Sequence, residues 1–240
     1  IALTTGTAGE GSCAVDRLRL FATTRGVVDD FESGDLSAWY TVADTSASAS
    51  IEAGTATGLT APGDADNGVL EVEYTAAGWG VGFGRNVDPA EDWSAASGVA
   101  FWFEGSGSGA AFRVVLKDNG DGGAGDSNER FTASFADDFT GWRELSFPWP
   151  AFVRDPSYQP AGAPHDGLTL TEVNAVHFEP ANADEGAFTI DQMSLFRTTH
   201  AIVDDLESGD LSAWYTYADT GASASIEAGT ATGLTAPGDA

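Results

Sequence analysis

The sequence predicts an all-β fold, most simply a two-sheet β-sandwich of the jelly-roll type. Three segments alternate apolar and other side chains with the period of two that a half-buried strand requires: Val99–Phe103, Phe112–Lys117 and Phe131–Phe135. Clusters of Gly, Asp, Asn and Pro separate the candidate strands. No convincing amphipathic helix of ten or more residues is present, and about ten short strands are typical of a sandwich.

Seven further segments are predicted to be strands, namely Val27–Phe31, Ser48–Ala53, Val69–Tyr74, Gly80–Arg85, Arg143–Phe147, Asn174–Phe178 and Phe188–Leu195. The longest stretch without a predicted strand is Pro148–Leu168. Loops of this length in a compact β domain are often functional.

The chain contains a long internal repeat. Residues 27–65 and 202–240 are identical at 35 of 39 positions, without a gap, at an offset of 175. Residues 1–25 align more weakly with 176–200 in the same register. We therefore interpret the chain as tandem repeats of period 175. Residues 1–25 are the C-terminal strands of a preceding repeat, 26–200 form a complete jelly-roll repeat, and 201–240 are the N-terminal part of the following one.

Composition excludes several classes of protein. With 37 acidic and 10 basic residues the net charge is −27, which argues against a basic surface for nucleic acid or anionic lipid. The single cysteine, Cys13, cannot form an intrachain disulfide, so a disulfide scaffold is excluded. No apolar run is long enough to insert into a membrane. The acidity favours an extracellular or cell-surface location.

Several segments of the chain carry a family resemblance. Asp29–Glu32 followed by Trp39, and later Asp92–Ser94, resemble the opening and the middle of family 11 carbohydrate-binding modules and their galactose-binding-like relatives. The sharpest match is Arg154–Gly162 before the strand that contains Val176–Phe178. The resemblance implies a non-catalytic jelly roll that binds β-1,3/1,4-linked glucan chains on a concave face. Aromatic rings would stack on the sugars while carboxylates and arginine bind their hydroxyl groups.

The resemblance also suggests individual site residues. Tyr158 falls on a sugar-stacking tyrosine, Asp126 lies near a ligand-binding aspartate, and Trp79 lies beside an aromatic platform position. Arg154 stands one place before a sugar-contacting arginine, and Asp155 takes the place of that arginine. His177, which alternates with two apolar neighbours, should face away from the core. The candidate ligand-binding residues are thus Trp79, Asp126, Arg154, Asp155, Tyr158 and His177.

The sequence departs from the family pattern at three positions. Pro180 stands where a second tyrosine is expected, and Ser157 replaces an aspartate. Val42 occupies an approximate tyrosine position, although the second copy has Tyr217 there. Part of the aromatic platform is therefore missing.

Glu32 and Asp191 are candidate ligands of a structural Ca²⁺ between the first and last strands. Both carboxylates recur one period away, as Glu207 and Asp16. Calcium takes several oxygen ligands, which carboxylates and backbone carbonyls supply. The alternative is that they are solvated carboxylates that discourage edge pairing.

Two functions remain open, and neither is catalytic. No nucleophile elbow, zinc-protease helix or phosphate-binding loop occurs, and Trp39, Trp93 and Trp102 are interpreted as structural. The first function is an extracellular module that binds a β-glucan-like polysaccharide. The alternative is a building block of a filament, stalk or adhesin, whose partners would be neighbouring repeats of the same protein.

Overall fold

The computed structural model describes residues 18–57, 67–77, 80–119, 127–181, 185–204, 206–216, 218 and 223–228. Residues 23–198 form one compact unit, and the remaining residues are assigned to a second. Five residues discussed above lie outside the described ranges: Cys13, Asp16, Trp79, Asp126 and Tyr217. The predicted repeat boundaries at 26 and 201 stay a prediction.

The described residues form twelve strands and one 3₁₀ turn. In chain order they are β1 (Leu18–Asp29), β2 (Trp39–Ala43), β3 (Ser48–Thr55), β4 (Gly68–Thr75), β5 (Val81–Glu91), β6 (Gly98–Ser106), β7 (Ala111–Asp118), β8 (Glu129–Ala136), β9 (Thr140–Pro148), the turn Trp149–Ala151, β10 (Val153–Arg154), β11 (Val173–Pro180) and β12 (Glu185–Asp204).

The strands make two antiparallel sheets packed as a sandwich. Sheet 1 has the order β3-β4-β12-β6-β9, with β1 also pairing with β12, and sheet 2 has the order β10-β8-β7-β11-β5-β2. The prediction of an all-β jelly-roll sandwich is confirmed. The stretch Pro148–Leu168, predicted to lack strands, contains the two-residue strand β10. No helix within the described ranges is long and apolar enough to cross a membrane.

Aromatic side chains fill the space between the sheets. Phe101 and Phe103 of sheet 1 pack on Phe178 and Phe112 of sheet 2, with ring centroids 5.0 and 5.7 Å apart respectively. These rings occupy alternate positions of their strands, so each strand turns its other face outward. Trp39 and Trp93 are buried as predicted. The core therefore fixes which side chains the outer faces present.

The opening segment folds into the same local turn in both of its copies. Phe31 and Gly34 have φ angles of 59° and 64°, and Leu206 and Gly209 have 62° and 65°. Asp35 accepts a hydrogen bond of 2.9 Å from the Ser37 backbone N–H, and its counterpart Asp210 accepts one of the same length from Ser212. The second copy contains no strand within residues 206–216 and 223–228. The turn therefore depends on local sequence, whereas the strands need the rest of the sandwich.

The outer face of sheet 1 carries several glutamates. Glu52 of β3 lies directly opposite Glu71 of β4, and both are exposed. Glu144 of β9 makes a two-pronged ion pair with Arg25, at 2.8 and 2.6 Å. Like charges opposite each other on a sheet are destabilising. On the outer face of sheet 2, by contrast, arginines and carboxylates occur together.

Candidate functional site

The register of sheet 2 brings five outward positions into one row. Tyr40 of β2 lies opposite Gly84 of β5, which pairs with His177 of β11. His177 pairs in turn with Val115 of β7, and Val115 with Thr132 of β8. We call this surface, with the neighbouring outward positions of the same strands, the outer face of sheet 2.

Two glycines of β5 make room for the His177 ring. A Cβ atom at Gly82 would lie 2.0 Å from His177 Nε2. A Cβ atom at Gly84 would lie 2.6 Å from the Val176 carbonyl oxygen and 2.9 Å from His177 Nδ1. The imidazole therefore lies over the glycines and is only 1% exposed. His177 faces away from the core, as expected, but its neighbours on the outer face bury it.

The buried imidazole connects a tyrosine to a glutamate. His177 Nδ1 is 3.2 Å from the Tyr40 hydroxyl oxygen, and Nε2 is 3.3 Å from Glu179 Oε1. Burial lowers the pKa of His177, and this outweighs the hydrogen bond to Glu179, which raises it. The ring is therefore neutral at neutral pH. In the tautomer that fits both contacts, Nε2–H donates to Glu179 and the Tyr40 hydroxyl donates to Nδ1.

Four charged side chains from neighbouring segments form a neutral cluster, which we call the arginine–carboxylate quartet: Arg113, Arg130, Asp155 and Glu179. Glu179 forms ion pairs with both guanidinium groups: Arg113 Nη2 lies 2.9 Å from Oε2, and Arg130 Nη2 donates a hydrogen bond to Oε1. Asp155 lies 3.6 Å from Arg130 Nε and 4.0 Å from Arg113 Nη1. Two positive and two negative charges balance at the centre of the face.

The quartet holds Glu179 in its ionised form. Burial alone would raise the pKa of Glu179, but the hydrogen bond to His177 and the charge of Arg130 outweigh burial and lower it to about 2. A charged carboxylate that is mostly buried is stable only when donors surround it. His177 and Arg130 are those donors, and Arg113 adds an ion pair.

Asp155 folds the loop that presents Tyr158. Its Oδ1 atom accepts hydrogen bonds from the Ser157 backbone N–H at 2.8 Å and from the Ser157 hydroxyl at 2.6 Å. The Gln159 side chain fastens the same loop to β8, because its Nε2 donates to the Arg130 carbonyl at 2.8 Å. Tyr158 is thereby left 53% exposed, with the Arg130 guanidinium carbon 5.4 Å from its ring centroid.

Tyr40 provides a second aromatic ring on this face. Its ring stacks on His177 with centroids 5.7 Å apart and planes inclined by 24°. The ammonium group of Lys117 lies 5.8 Å from the Tyr40 centroid. Sequence reasoning missed Tyr40 because β2 is short and was not predicted. The burial of Trp39 was the available signal, since alternation along a strand turns the next residue outward.

The structure brings together only some of the predicted site residues. Asp155, Tyr158 and His177 lie on the outer side of sheet 2, where Tyr158 is exposed and the other two are buried. Arg154 instead pairs with Glu129 and donates to the Pro164 carbonyl at 3.3 Å, at the end of the sandwich. Sequence reasoning did not select Tyr40, Arg113, Lys117, Arg130 or Glu179, because these residues meet only through the register of β2, β5, β7, β8 and β11.

The two candidate calcium ligands each bind a backbone N–H. Glu32 Oε1 accepts from Gly68 at 2.8 Å, and Asp191, which is fully buried, accepts from Gln192. Within the described ranges no three His, Cys, Asp or Glu residues group as metal ligands would. Two carboxylates supply fewer oxygens than the six to eight that Ca²⁺ takes, so backbone carbonyls and water would have to complete the shell. The Ca²⁺ site stays a prediction.

Comparison with known proteins identifies the family. The family model described as "Carbohydrate binding domain (family 11)" matches residues 20–198. This chain belongs to that family. The match covers both sheets of the sandwich and all four members of the quartet.

Relatives of this family 11 domain include one enzyme and several solved modules. Endoglucanase H of Acetivibrio thermocellus is 30% identical over 154 residues, which are 62% of this chain and 16% of the enzyme. This chain thus spans a small part of the enzyme's length. The family 11 module of the cellulosomal cellulase Lic26A-Cel5E of Clostridium thermocellum is 24% identical, with a TM-score of 0.60 over 72% of this chain and 95% of the module.

A further solved structure carries a bound sugar. It is the family 11 module from Clostridium thermocellum in complex with a β-1,3-1,4-mixed-linked tetrasaccharide. It is 26% identical to this chain, with a TM-score of 0.60 over 71% of this chain and 94% of the module.

The close packing of His177 against Gly82 predicts how substitutions at these two positions change stability. Gly82→Ala should lower the free energy of unfolding by about 1–3 kcal/mol, because the new methyl group overlaps the imidazole. Adding His177→Ala removes the overlap, so the double variant should lose less than the sum of the single losses. Urea denaturation measures all three. Gly26→Ala, where a Cβ atom meets nothing within 4 Å, is the control. If the double variant loses the sum of the two single losses, the predicted overlap between residue 82 and the imidazole is wrong.

The charges of the quartet predict how the free energy of unfolding changes at acidic pH. Glu179→Gln removes the charge that compensates Arg113 and Arg130, so it should cost about 3–5 kcal/mol at pH 7. Because the pKa of Glu179 is lowered from 4.5 to about 2, its contribution is complete above pH 4.5 and is lost as the pH falls towards 2. Parent and variant stabilities should therefore converge over that range. The exposed Glu73→Gln is the control, and parallel curves for parent and Glu179→Gln would refute the assignment.

Proposed function

We propose that residues 23–198 form a non-catalytic module that binds a neutral β-glucan chain on the outer face of sheet 2. The observation that carries the proposal is the pair of tyrosine rings, Tyr40 and Tyr158, beside the neutral quartet. A pyranose ring has an apolar C–H face and a polar rim, so it needs an aromatic plate next to fixed hydrogen-bonding groups. This face offers both.

The charge of the face supports an uncharged ligand. The quartet cancels its own charge, and its hydrogen bonds hold the two guanidinium groups in place before a ligand arrives. A preformed polar site loses little conformational entropy on binding. Arg113, whose side chain is 28% exposed, is the guanidinium best placed to reach sugar hydroxyl groups.

The carboxylates of the face favour binding without catalysis. A glycosidase needs one carboxylic acid that donates a proton and a second carboxylate across the scissile bond. Glu179 has a pKa of about 2, so it is ionised at neutral pH and cannot supply that proton. Asp155 is 2% exposed and lies beneath the loop that it folds.

The comparisons support the same ligand class and setting. A family 11 relative was solved with a β-1,3-1,4-mixed-linked tetrasaccharide, which favours mixed-linkage glucan as the ligand here. Another belongs to a cellulosomal cellulase, which favours an extracellular or cell-surface location.

Binding should depend on both tyrosine rings. Tyr40→Ala and Tyr158→Ala should each weaken binding to lichenan or barley β-glucan about tenfold or more, because each removes a stacking surface. Affinity electrophoresis and calorimetry measure the effect. The matched control is Tyr215→Ala, since Tyr215 is the counterpart of Tyr40 at the 175-residue offset and lies outside residues 23–198.

Three results bear on this proposal. Retarded migration of the parent and the control, with loss in the two test variants, supports it. Unretarded migration of the parent on lichenan, barley β-glucan and cellulose refutes it. Equal loss in the Tyr215→Ala control would show that the effect does not arise on the outer face of sheet 2.

A second function, a structural array of repeats, is favoured by a different observation. The two opening segments are identical at 35 of 39 positions and fold into the same turn. Near-identical successive copies suit a filament, stalk or adhesin whose repeats contact one another. Electron microscopy of the native source should then show regular fibres with the repeat spacing. Isolated globules would refute this function and would leave the glycan-binding module unaffected.

A further inference from the structure

Two buried carboxylic residues face each other at the end of the β7–β8 hairpin. Asp118 of β7 and Glu129 of β8 are direct cross-strand partners, and both are fully buried. Each lies two residues from a core side chain of its strand, Leu116 and Phe131, so both point to the inner side of sheet 2. They are separate from the quartet on the outer side.

Each carboxylic group has one satisfied oxygen and one that makes no hydrogen bond. Glu129 Oε1 accepts from Arg154, and Asp118 Oδ2 accepts from the backbone N–H of Thr169. Within the described residues, Asp118 Oδ1 and Glu129 Oε2 are buried without a hydrogen-bond partner. Leaving two such acceptors unpaired away from water is costly.

The charges at this site also leave one unit uncompensated. Two ionised carboxylates carry −2, and Arg154 supplies +1. Asp166, on the loop above, adds a further negative charge that faces Asp118. One bound proton would bring the summed charge of Asp118, Glu129 and Arg154 to zero and would give the unpaired oxygens a common partner.

We propose that Asp118 and Glu129 share one proton, carried on Asp118 Oδ1 and donated to Glu129 Oε2. Arg154 then balances the charge that stays on Glu129. Burial raises the pKa of Asp118 to about 7; the Thr169 N–H opposes the shift, and the charges of Glu129 and Asp166 add to it. The proton is therefore held up to neutral pH.

The shared proton lies where the long loop joins the sheet. Thr169 donates to Asp118, and Asn119 Nδ2 donates to Thr169 Oγ1 at 2.7 Å and to Asp166 at 3.1 Å. Arg154 donates to the Pro164 carbonyl. Loss of the proton places the negative charges of Asp118 and Glu129 beneath Asp166, and the Thr169 N–H offsets this repulsion only in part. The pair is thus a pH-sensitive latch for this part of the loop.

The sign of the pH dependence follows from linkage. The pKa of Asp118 is higher in the folded chain than its ordinary value of 3.8, so the folded state binds more protons than the unfolded one. Stability should therefore fall as the pH rises from about 4 through about 7. This is opposite in direction to the contribution of Glu179, which acts at acidic pH.

The decisive measurement is the carbon NMR titration of the Asp118 side chain in the whole chain, read with urea denaturation. The carboxyl carbon should titrate near pH 7, and the free energy of unfolding should fall over the same range. Asp118→Asn places an amide N–H where the shared proton lies, so its urea stability should become independent of pH between 6 and 8. The matched control is Asp138→Asn, an exposed aspartate of 74% side-chain exposure, which should keep the parent's pH dependence.

Two outcomes would overturn the latch. If the Asp118 carboxyl carbon titrates below pH 5 in the parent, no proton is shared; this result needs no variant and is independent of glycan binding. If calcium chloride at pH 6, where the proton should be bound, stabilises the parent and not Asp118→Asn, the two carboxylates bind a cation in place of the proton.

Discussion

The outer face of sheet 2 depends on the ion pairs that Glu179 makes with Arg113 and Arg130. These residues come from three adjacent strands, β11, β7 and β8, so their ion pairs tie the middle of sheet 2 together on its outer side. The same carboxylate accepts from His177, which orients Tyr40. Arg130 in turn lies against Tyr158. One buried carboxylate thus holds the two side chains, His177 and Arg130, that lie against the aromatic rings of the proposed site.

The charge of the chain is distributed in a way that suits an uncharged ligand. A net charge of −27 repels anions over much of the surface, and sheet 1 places glutamates directly opposite each other. On sheet 2, by contrast, Arg113, Arg130 and Lys117 gather near two carboxylates. The acidity therefore favours solubility, and in the proposed function the ligand would be selected by ring stacking and hydrogen bonds at a locally balanced face.

The sequence predicted what depends on alternation and missed what depends on register. Segments such as Phe112–Lys117 carry a period of two strong enough to identify a strand and its buried face. Strands β2 and β10 are short and lie beside turns, so alternation alone did not identify them. The quartet was missed for another reason. Arg113, Arg130 and Glu179 are far apart in sequence, and which charges meet depends on how β7, β8 and β11 align.

The quartet also accounts for the aspartate at position 155, where the family pattern has an arginine. The family resemblance places a sugar-contacting arginine at this position, and a carboxylate there reverses the charge of the site. The structure turns Asp155 inward, where it folds the Tyr158 loop and faces the guanidinium groups of Arg113 and Arg130. Positive charge thus reaches the same part of the face from two neighbouring strands instead of from the loop. Because the core holds the strands in place, arginines that lie on strands are fixed before any ligand binds. The loop then needs only to carry the aromatic ring of Tyr158.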